Sequence, residues 1–248
     1  PQPEVAPPAP KPSTPTRIVA SGIERRMKGE TTRTDIPGAA RWADRHAKLE
    51  KDAQLLAQRI ERRTNTVART FDRVCEVLDA LGYLHDDTVT DRGRALMRIY
   101  SELDLVAAEA LRTGLWDDLT PSQLAAVLSC VVYEARRPEE GPVSVPGGAI
   151  ATTIDAMTRL WEDLERLERA HRLDFLRRPD PGFAWTAWRW AEGQDLDDIL
   201  TRNDQTAGDF VRQMKQLIDF AGQVADAAAG TPVRDTARQV VGLLRRGI

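Results

Sequence analysis

Two cysteines and three histidines among 248 residues leave little material for disulfide or metal chemistry. Cys75 and Cys130 each stand alone in an amphipathic stretch, with no C-x-x-C pair, so neither a disulfide framework nor a zinc knuckle is expected, and both read as buried thiols. His46, His85 and His171 have no carboxylate or cysteine at ligand spacing, and no metal site is expected from them. No apolar run approaches the ~20 residues of a membrane-spanning helix, and none resembles a signal peptide. The expectation is a soluble, cytoplasmic chain with no membrane partner. Also missing are a G-x-x-x-x-G-K-[ST] phosphate loop and a D-E-x-[DH] magnesium box. This segment therefore has no expected catalytic residue, binds no cofactor of its own, and cannot hydrolyse a nucleoside triphosphate alone. Asp91-Arg92-Gly93-Arg94 has the look of an arginine finger but lacks the strand that should precede it. No β-alternation lasts long enough to build a sheet.

What is present is an ordinary globular composition, 42% hydrophobic and 29% charged, with a net charge of −3. The charge is uneven: residues 17–69 carry 13 Lys/Arg against 7 Asp/Glu, and residues 70–248 carry 21 against 30. A basic arm on an acidic body suits a polyanion partner or, equally, a solvated helix face. Seven prolines fall within residues 1–16, the composition of a tether, as expected of a piece cut from a longer chain. Residues 1–39 are thus a Pro-rich, irregular linker.

Helical periodicity begins near Ala40, with Trp42, His46 or Leu49, Ala53, Leu56 and Ile60 spaced for one face of a charged stalk helix over 40–64. Thr64-Asn65-Thr66 predicts a capping break. Val67, Phe71, Val74, Leu78 and Leu81 then form the apolar stripe of a second helix, stopped by Gly82. His85-Asp86-Asp87 reads as a turn and Thr88-Val89-Thr90 as a short β-prone piece. Asp91 follows as the cap of a helix running through Tyr100, which makes 65–101 compatible with part of a winged-helix unit. Further helices are predicted over 103–111, 124–133 (started by Thr120-Pro121), 149–173, 183–191, 196–200, 209–228 and 233–244, with a Pro/Gly loop at 138–148. The fold class is all-α: a helical stalk, a partial winged-helix-like unit and a C-terminal helical bundle over 102–248. Phe183, Trp185, Trp188 and Trp190 concentrate aromatic surface. At helical spacing they read as core, and exposed they would form a stacking platform for bases.

Three ordered blocks are more specific. The first is Phe71-Asp72-Arg73-Val74 through Leu81-Gly82-Tyr83-Leu84 to Thr90-Asp91-Arg92-Gly93-Arg94. The second is Glu102-Leu103 through Gly114-Leu115-Trp116-Asp117-Asp118-Leu119-Thr120-Pro121 to Tyr133-Glu134. The third is Trp188 and Trp190-Ala191-Glu192-Gly193, then Gly208-Asp209-Phe210-Val211-Arg212 and Lys215-Gln216-Leu217-Ile218-Asp219. Together, over about residues 40–248, they resemble the C-terminal helical (DSHCT) domain of Ski-type DExH-box RNA helicases, and most nearly the actinobacterial HelY-type members.

That resemblance implies an ATP-driven 3′-to-5′ motor whose upstream RecA-like domains, absent from this sequence, would supply ATP and magnesium chemistry. It also implies a channel for single-stranded RNA, or DNA, closed by the bundle. The helix opening at Gly208-Asp209-Phe210 matches the ratchet helix, which keeps the strand from slipping back between ATP strokes. Its Phe210, Met214, Leu217, Ala221 and Val224 make one apolar stripe, widened by Val211, Ile218 and Ala225. Arg212, Gln216, Asp219 and Gln223 share the opposite face. Arg212, Gln216 and Asp219 are the implied nucleic-acid contacts, an arginine for a phosphate or base face and an amide and a carboxylate for base edges. The family carries arginine and glutamate where Gln216 and Asp219 stand. Two other readings fit the residues without the resemblance. One is a free-standing winged-helix or helical DNA-binding regulator using Arg92, Arg94 and Arg98, and the other is a protein–protein scaffold docking through its aromatic cluster.

Overall fold

The computed structural model describes residues 39–135, 143–203 and 205–247, with the backbone alone described for 39–44, 58–65 and 202–203. The Pro-rich start, most of the basic arm, the side chains of Trp42 and Ile60, and residues 136–142, which include the first part of the predicted 138–148 loop, lie outside the described residues. The chain divides into two units, residues 1–62 and 63–248. The fold is all-α, and β structure among the described residues is confined to two strands of two residues each.

Helix α1 (Ala39–Ala80) is continuous across Thr64-Asn65-Thr66, where the sequence predicts a break. Its 42 residues include no Gly or Pro. A Thr or Asn inside a helix costs only ~0.5 kcal/mol relative to Ala, too little to interrupt long flanking runs of helix formers. Thr70 Oγ1 bonds back to the Thr66 carbonyl at 3.0 Å, as interior threonines do. In the first unit Leu49, Leu55 and Leu56 are exposed. In the second, Val77 is buried while Val67 and Phe71, expected in the apolar stripe, are exposed. The helix ends in a Schellman turn, with Gly82 at φ +75° and the Tyr83 amide donating to the Leu78 carbonyl at 2.8 Å.

Strands β1 (Leu84–His85) and β2 (Thr88–Val89) pair antiparallel, Leu84 opposite Val89 and His85 opposite Thr88, around the predicted turn. Helix α2 (Asp91–Leu96) is capped by Thr90 rather than Asp91 and stops short of Tyr100. The Thr90 hydroxyl accepts from the Gly93 amide at 3.2 Å and donates to the Gly82 and Tyr83 carbonyls, while the Asp91 carboxylate turns to Arg94 at 2.6 Å. Gly93 permits the close approach of α2 to the hairpin, because a Cβ there would sit 2.4 Å from the Tyr83 carbonyl oxygen. The Asp91-Arg92-Gly93-Arg94 stretch is thus a packing joint.

Helix α3 (Asp104–Arg112) is buried from Leu105 to Ala110. Helix α4 (Pro121–Val132) opens with a full capping box, Thr120 with Gln123, and carries Pro at its first turn. It is apolar around nearly its whole circumference, with Leu124 through Val131 all buried, and such a helix has to be surrounded. Helices α5 (Ala149–Ala170), α6 (Ala184–Ala191), α8 (Ala207–Ala227) and α9 (Val233–Leu244) pack on it, and α7 (Leu196–Asn203) packs on α6. The aromatic cluster divides. Phe183, in the 3₁₀ turn Pro181–Phe183, and Trp190 are buried against Phe210, with Trp190 edge-on at 5.2 Å. Trp185 and Trp188 are half-buried and pack edge-on against each other, with the Arg189 guanidinium 4.8 Å over the Trp185 ring.

Candidate nucleic-acid interface

Helix α8 carries the site because its two faces differ in chemistry. Thr206 caps it, accepting from the Asp209 amide at 3.1 Å. Phe210, Met214, Leu217, Ala221 and Val224 are fully buried, as their four-three spacing predicts, and Ala225 joins them. Phe220 and Gln213 are buried as well, which the sequence reading missed. On the other face Arg212, Gln216 and Asp219 are exposed.

That face forms one wall of an open cleft of about 400 Å³. The cleft brings together Arg212, Gln213, Gln216, Asp219, Phe220 and Gln223 of α8. Facing them are Tyr100, Ser101 and Glu102 from the α2–α3 connection, Val131, Val132 and Glu134 from the end of α4, and Arg177. All three predicted contact residues therefore line one surface. The residues opposite were not foreseen, since they come from segments 35 to 123 positions away in the chain.

Hydrogen bonds fix the walls. Gln223 bridges two of them: its Oε1 accepts from the Tyr100 amide and its Nε2 donates to Asp219 Oδ2, both at 2.7 Å. Arg177 donates to Glu102 at 3.0 Å and to the Val131 carbonyl at 2.6 Å. The Arg212 guanidinium lies 3.0 Å from Asp209. Arg177 and Arg212 are thus already engaged, and the cleft wall adds the carboxylates of Glu102, Glu134 and Asp219. The result is a surface rich in amides and carboxylates with no excess of cations. It can bond neutral polar groups and is poorly suited to hold phosphates. Tyr100, among the lining residues, is 78% exposed. Gln213, also among the lining residues, has its Oε1 buried and without a hydrogen-bond partner.

Elsewhere the arrangement offers less. Arg94 is held by Asp91 and the Val89 carbonyl, and Arg98 by the Asp226 carbonyl, so the six-residue α2 is no basic recognition helix. No cluster of three or more His, Cys, Asp or Glu able to hold a metal occurs among the described residues. Nor is any helix among them long and apolar enough to cross a membrane.

Comparison with known proteins bears on the same region. The family model described as the DSHCT (NUC185) domain matches residues 86–248. A protein of Mycobacterium tuberculosis named probable helicase HelY is 39% identical over 223 residues, covering 84% of this chain and 25% of its own length. Its Mycobacterium leprae namesake is 38% identical over 221 residues, covering 83% and 24%. The Schizosaccharomyces pombe protein named ATP-dependent RNA helicase mtr4 is 26% identical over 162 residues, covering 61% and 14%. The chain therefore spans about a quarter of the length of its mycobacterial relatives.

Proposed function

Because the chain belongs to the DSHCT (NUC185) family and its relatives are helicases, we propose that it is the strand-holding, ratchet-bearing part of an ATP-driven 3′-to-5′ helicase acting on RNA. In this reading ATP and magnesium are handled by RecA-like domains elsewhere in the full-length protein. Helix α8 contacts the translocating strand through Arg212, Gln216 and Asp219, and the work takes place in the cytoplasm.

The supporting observation is the division of α8. One stripe is sealed in the core, and the three polar residues opposite it open onto a single cleft. A ratchet needs this combination of a rigidly seated helix and a polar face that can bond base edges and let go again. RNA is the strand favoured, since the relatives named for a nucleic acid are named for RNA.

The test uses the full-length helicase with Gln216 and Asp219 both replaced by alanine. Both side chains are exposed, so the melting temperature should stay within about 2 °C of the parent. Duplex unwinding should fall while strand-stimulated ATP hydrolysis persists, because a strand that slips between strokes uncouples the motor from movement. Unchanged unwinding removes the ratchet role from these residues.

A further inference from the structure

We propose that the opening between α2, α3 and the end of α8 is a docking pocket for an acidic peptide of a partner protein, which inserts one bulky apolar side chain and sets a neighbouring carboxylate against Arg92. The opening shares no lining residue with the α8 cleft and does not depend on the strand-holding reading.

Its lining is sorted by polarity. The volume is about 290 Å³. Tyr83, Ile99, Ala108 and Ala228 are the buried lining residues, and the Tyr83 hydroxyl is committed to Glu109 at 2.7 Å. What remains inside is therefore hydrocarbon. The exposed lining residues, Asp91, Arg92 and Arg112, are all charged. Arg112 is matched by Glu109 at 2.7 Å and Asp91 by Arg94 at 2.6 Å. Arg92 has no hydrogen bond or ion pair among the described residues. Its Nη1 lies 3.2 Å from the point a Cβ would occupy on Gly82, so the guanidinium rests against the turn that carries Tyr83. One positive charge is thus left uncompensated beside an apolar hollow. A carboxylate placed there gains charge-assisted bonds from a guanidinium whose five donors are all uncommitted. Residues 70–248 carry 21 Lys/Arg against 30 Asp/Glu, so an acidic peptide is repelled by most of this body and attracted where an arginine stands unmatched. Small-molecule sites occupy ~300–1,000 Å³ and enclose most of their ligand. This hollow is smaller and open, which suits a side chain whose backbone stays on the surface. A nucleic-acid phosphate could pair with Arg92 but has nothing to set against the hydrocarbon.

The experiment is fluorescence anisotropy of a labelled pentapeptide, leucine between two aspartates with glycine at each end, titrated with the full-length protein and with the 248-residue chain. Two control peptides carry alanine for the leucine or asparagine for both aspartates. Both proteins should bind the parent peptide saturably. The alanine control should bind at least about tenfold more weakly, the loss of one buried apolar side chain. The asparagine control should bind about three- to tenfold more weakly, and the difference should shrink as salt is raised. Arg92→Gln, at an exposed position, should melt as the parent does and bind the aspartate and asparagine peptides alike. Ala95→Leu, which fills the opening, should weaken the leucine peptide at least about tenfold, and the Arg92→Gln comparison stands where that variant folds poorly. Equal binding of the leucine and alanine peptides, or an aspartate preference that survives Arg92→Gln, overturns the proposal. So does displacement of the peptide by a short oligoadenylate or by equimolar 4-methylpentanoate, which would assign the pocket to a strand or to a small organic acid. Failure of the full-length protein to bind the peptide also overturns it, and binding by the 248-residue chain alone would mean that the protein's own upstream part fills the pocket.

Discussion

Glu109 is 3% exposed in the middle of α3, and its replacement by alanine should be among the most damaging single changes in the molecule. The carboxylate accepts from the Tyr83 hydroxyl at 2.7 Å and from Arg112 through Nε and Nη2 at 2.7 to 3.0 Å, tying the hairpin to the bundle. Deletion leaves the Tyr83 hydroxyl, on a residue 2% exposed, with no acceptor, at ~1–3 kcal/mol. The Arg112 side chain is 42% exposed and regains water, so the loss of the ion pair falls below the ~3–5 kcal/mol of a fully buried pair. The total is about 3–4 kcal/mol, a melting-temperature drop of roughly 6–16 °C at ~2–4 °C per kcal/mol for a unit of this size. Glu109→Gln keeps an acceptor for Tyr83 and should cost about half as much. The pH dependence has a definite sign. Burial alone would raise the Glu109 carboxyl, but hydrogen bonds from Arg112 and Tyr83, with the Arg112 charge, outweigh it and hold the group below its ordinary value. Its stabilisation is therefore complete above the unfolded value near ~4.3 and lost as the pH falls through the lower, folded value. Thermal melts by circular dichroism should show the gap between parent and Glu109→Gln full at neutral pH and closing on acidification. A melting temperature for Glu109→Ala within about 2 °C of the parent, or a gap that ignores pH, refutes the argument.

The tryptophans should rank by burial. Trp190→Ala should cost ~3–5 kcal/mol, since it loses an edge contact to Phe210, an indole bond to the Leu244 carbonyl at 3.0 Å and the Arg246 guanidinium stacked 3.8 Å away. The half-buried Trp188 and Trp185 should each cost less on the same melts, and equal losses would contradict the packing. Cys130, fully buried on α4, has its thiol pushed up to about 12 by burial, with the Asp180 charge adding to it. A thiol-reactive probe at pH 8 should therefore modify the half-buried Cys75 in the folded chain and reach Cys130 only on denaturation, and mass mapping of the labelled peptides checks this.

Where the residues carry their own punctuation, the sequence predicts the structure closely. Val233–Leu244 coincides with α9, Thr120-Pro121 starts α4, and the apolar stripe of α8 is buried position by position. Capping and periodicity are local, so they survive without knowledge of neighbours. The expectation at Thr64-Asn65-Thr66 fails for the converse reason, since weak helix formers break a helix only when another conformation has something to gain. Val67 and Phe71 have the helical spacing of a buried stripe yet remain exposed, because periodicity marks a face without supplying a partner to cover it.

The cleft follows the same logic. Its α8 wall could be read from the spacing of Arg212, Gln216 and Asp219, because one helix defines both of its faces. Its other wall could not, because Tyr100, Glu134 and Arg177 reach it through connections whose paths depend on bonds between distant residues. Tyr100 illustrates this. Spacing alone extends α2 to include it, whereas the chain leaves the helix after Leu96 and is fixed by Gln223, 123 residues later. Gln213 was open to inference. It stands three positions after Phe210 and four before Leu217, at the edge of the apolar stripe, where a polar side chain is partly drawn into the core. In the structure the Gln213 amide goes to the interior, 8% exposed, with its Oε1 buried and unbonded.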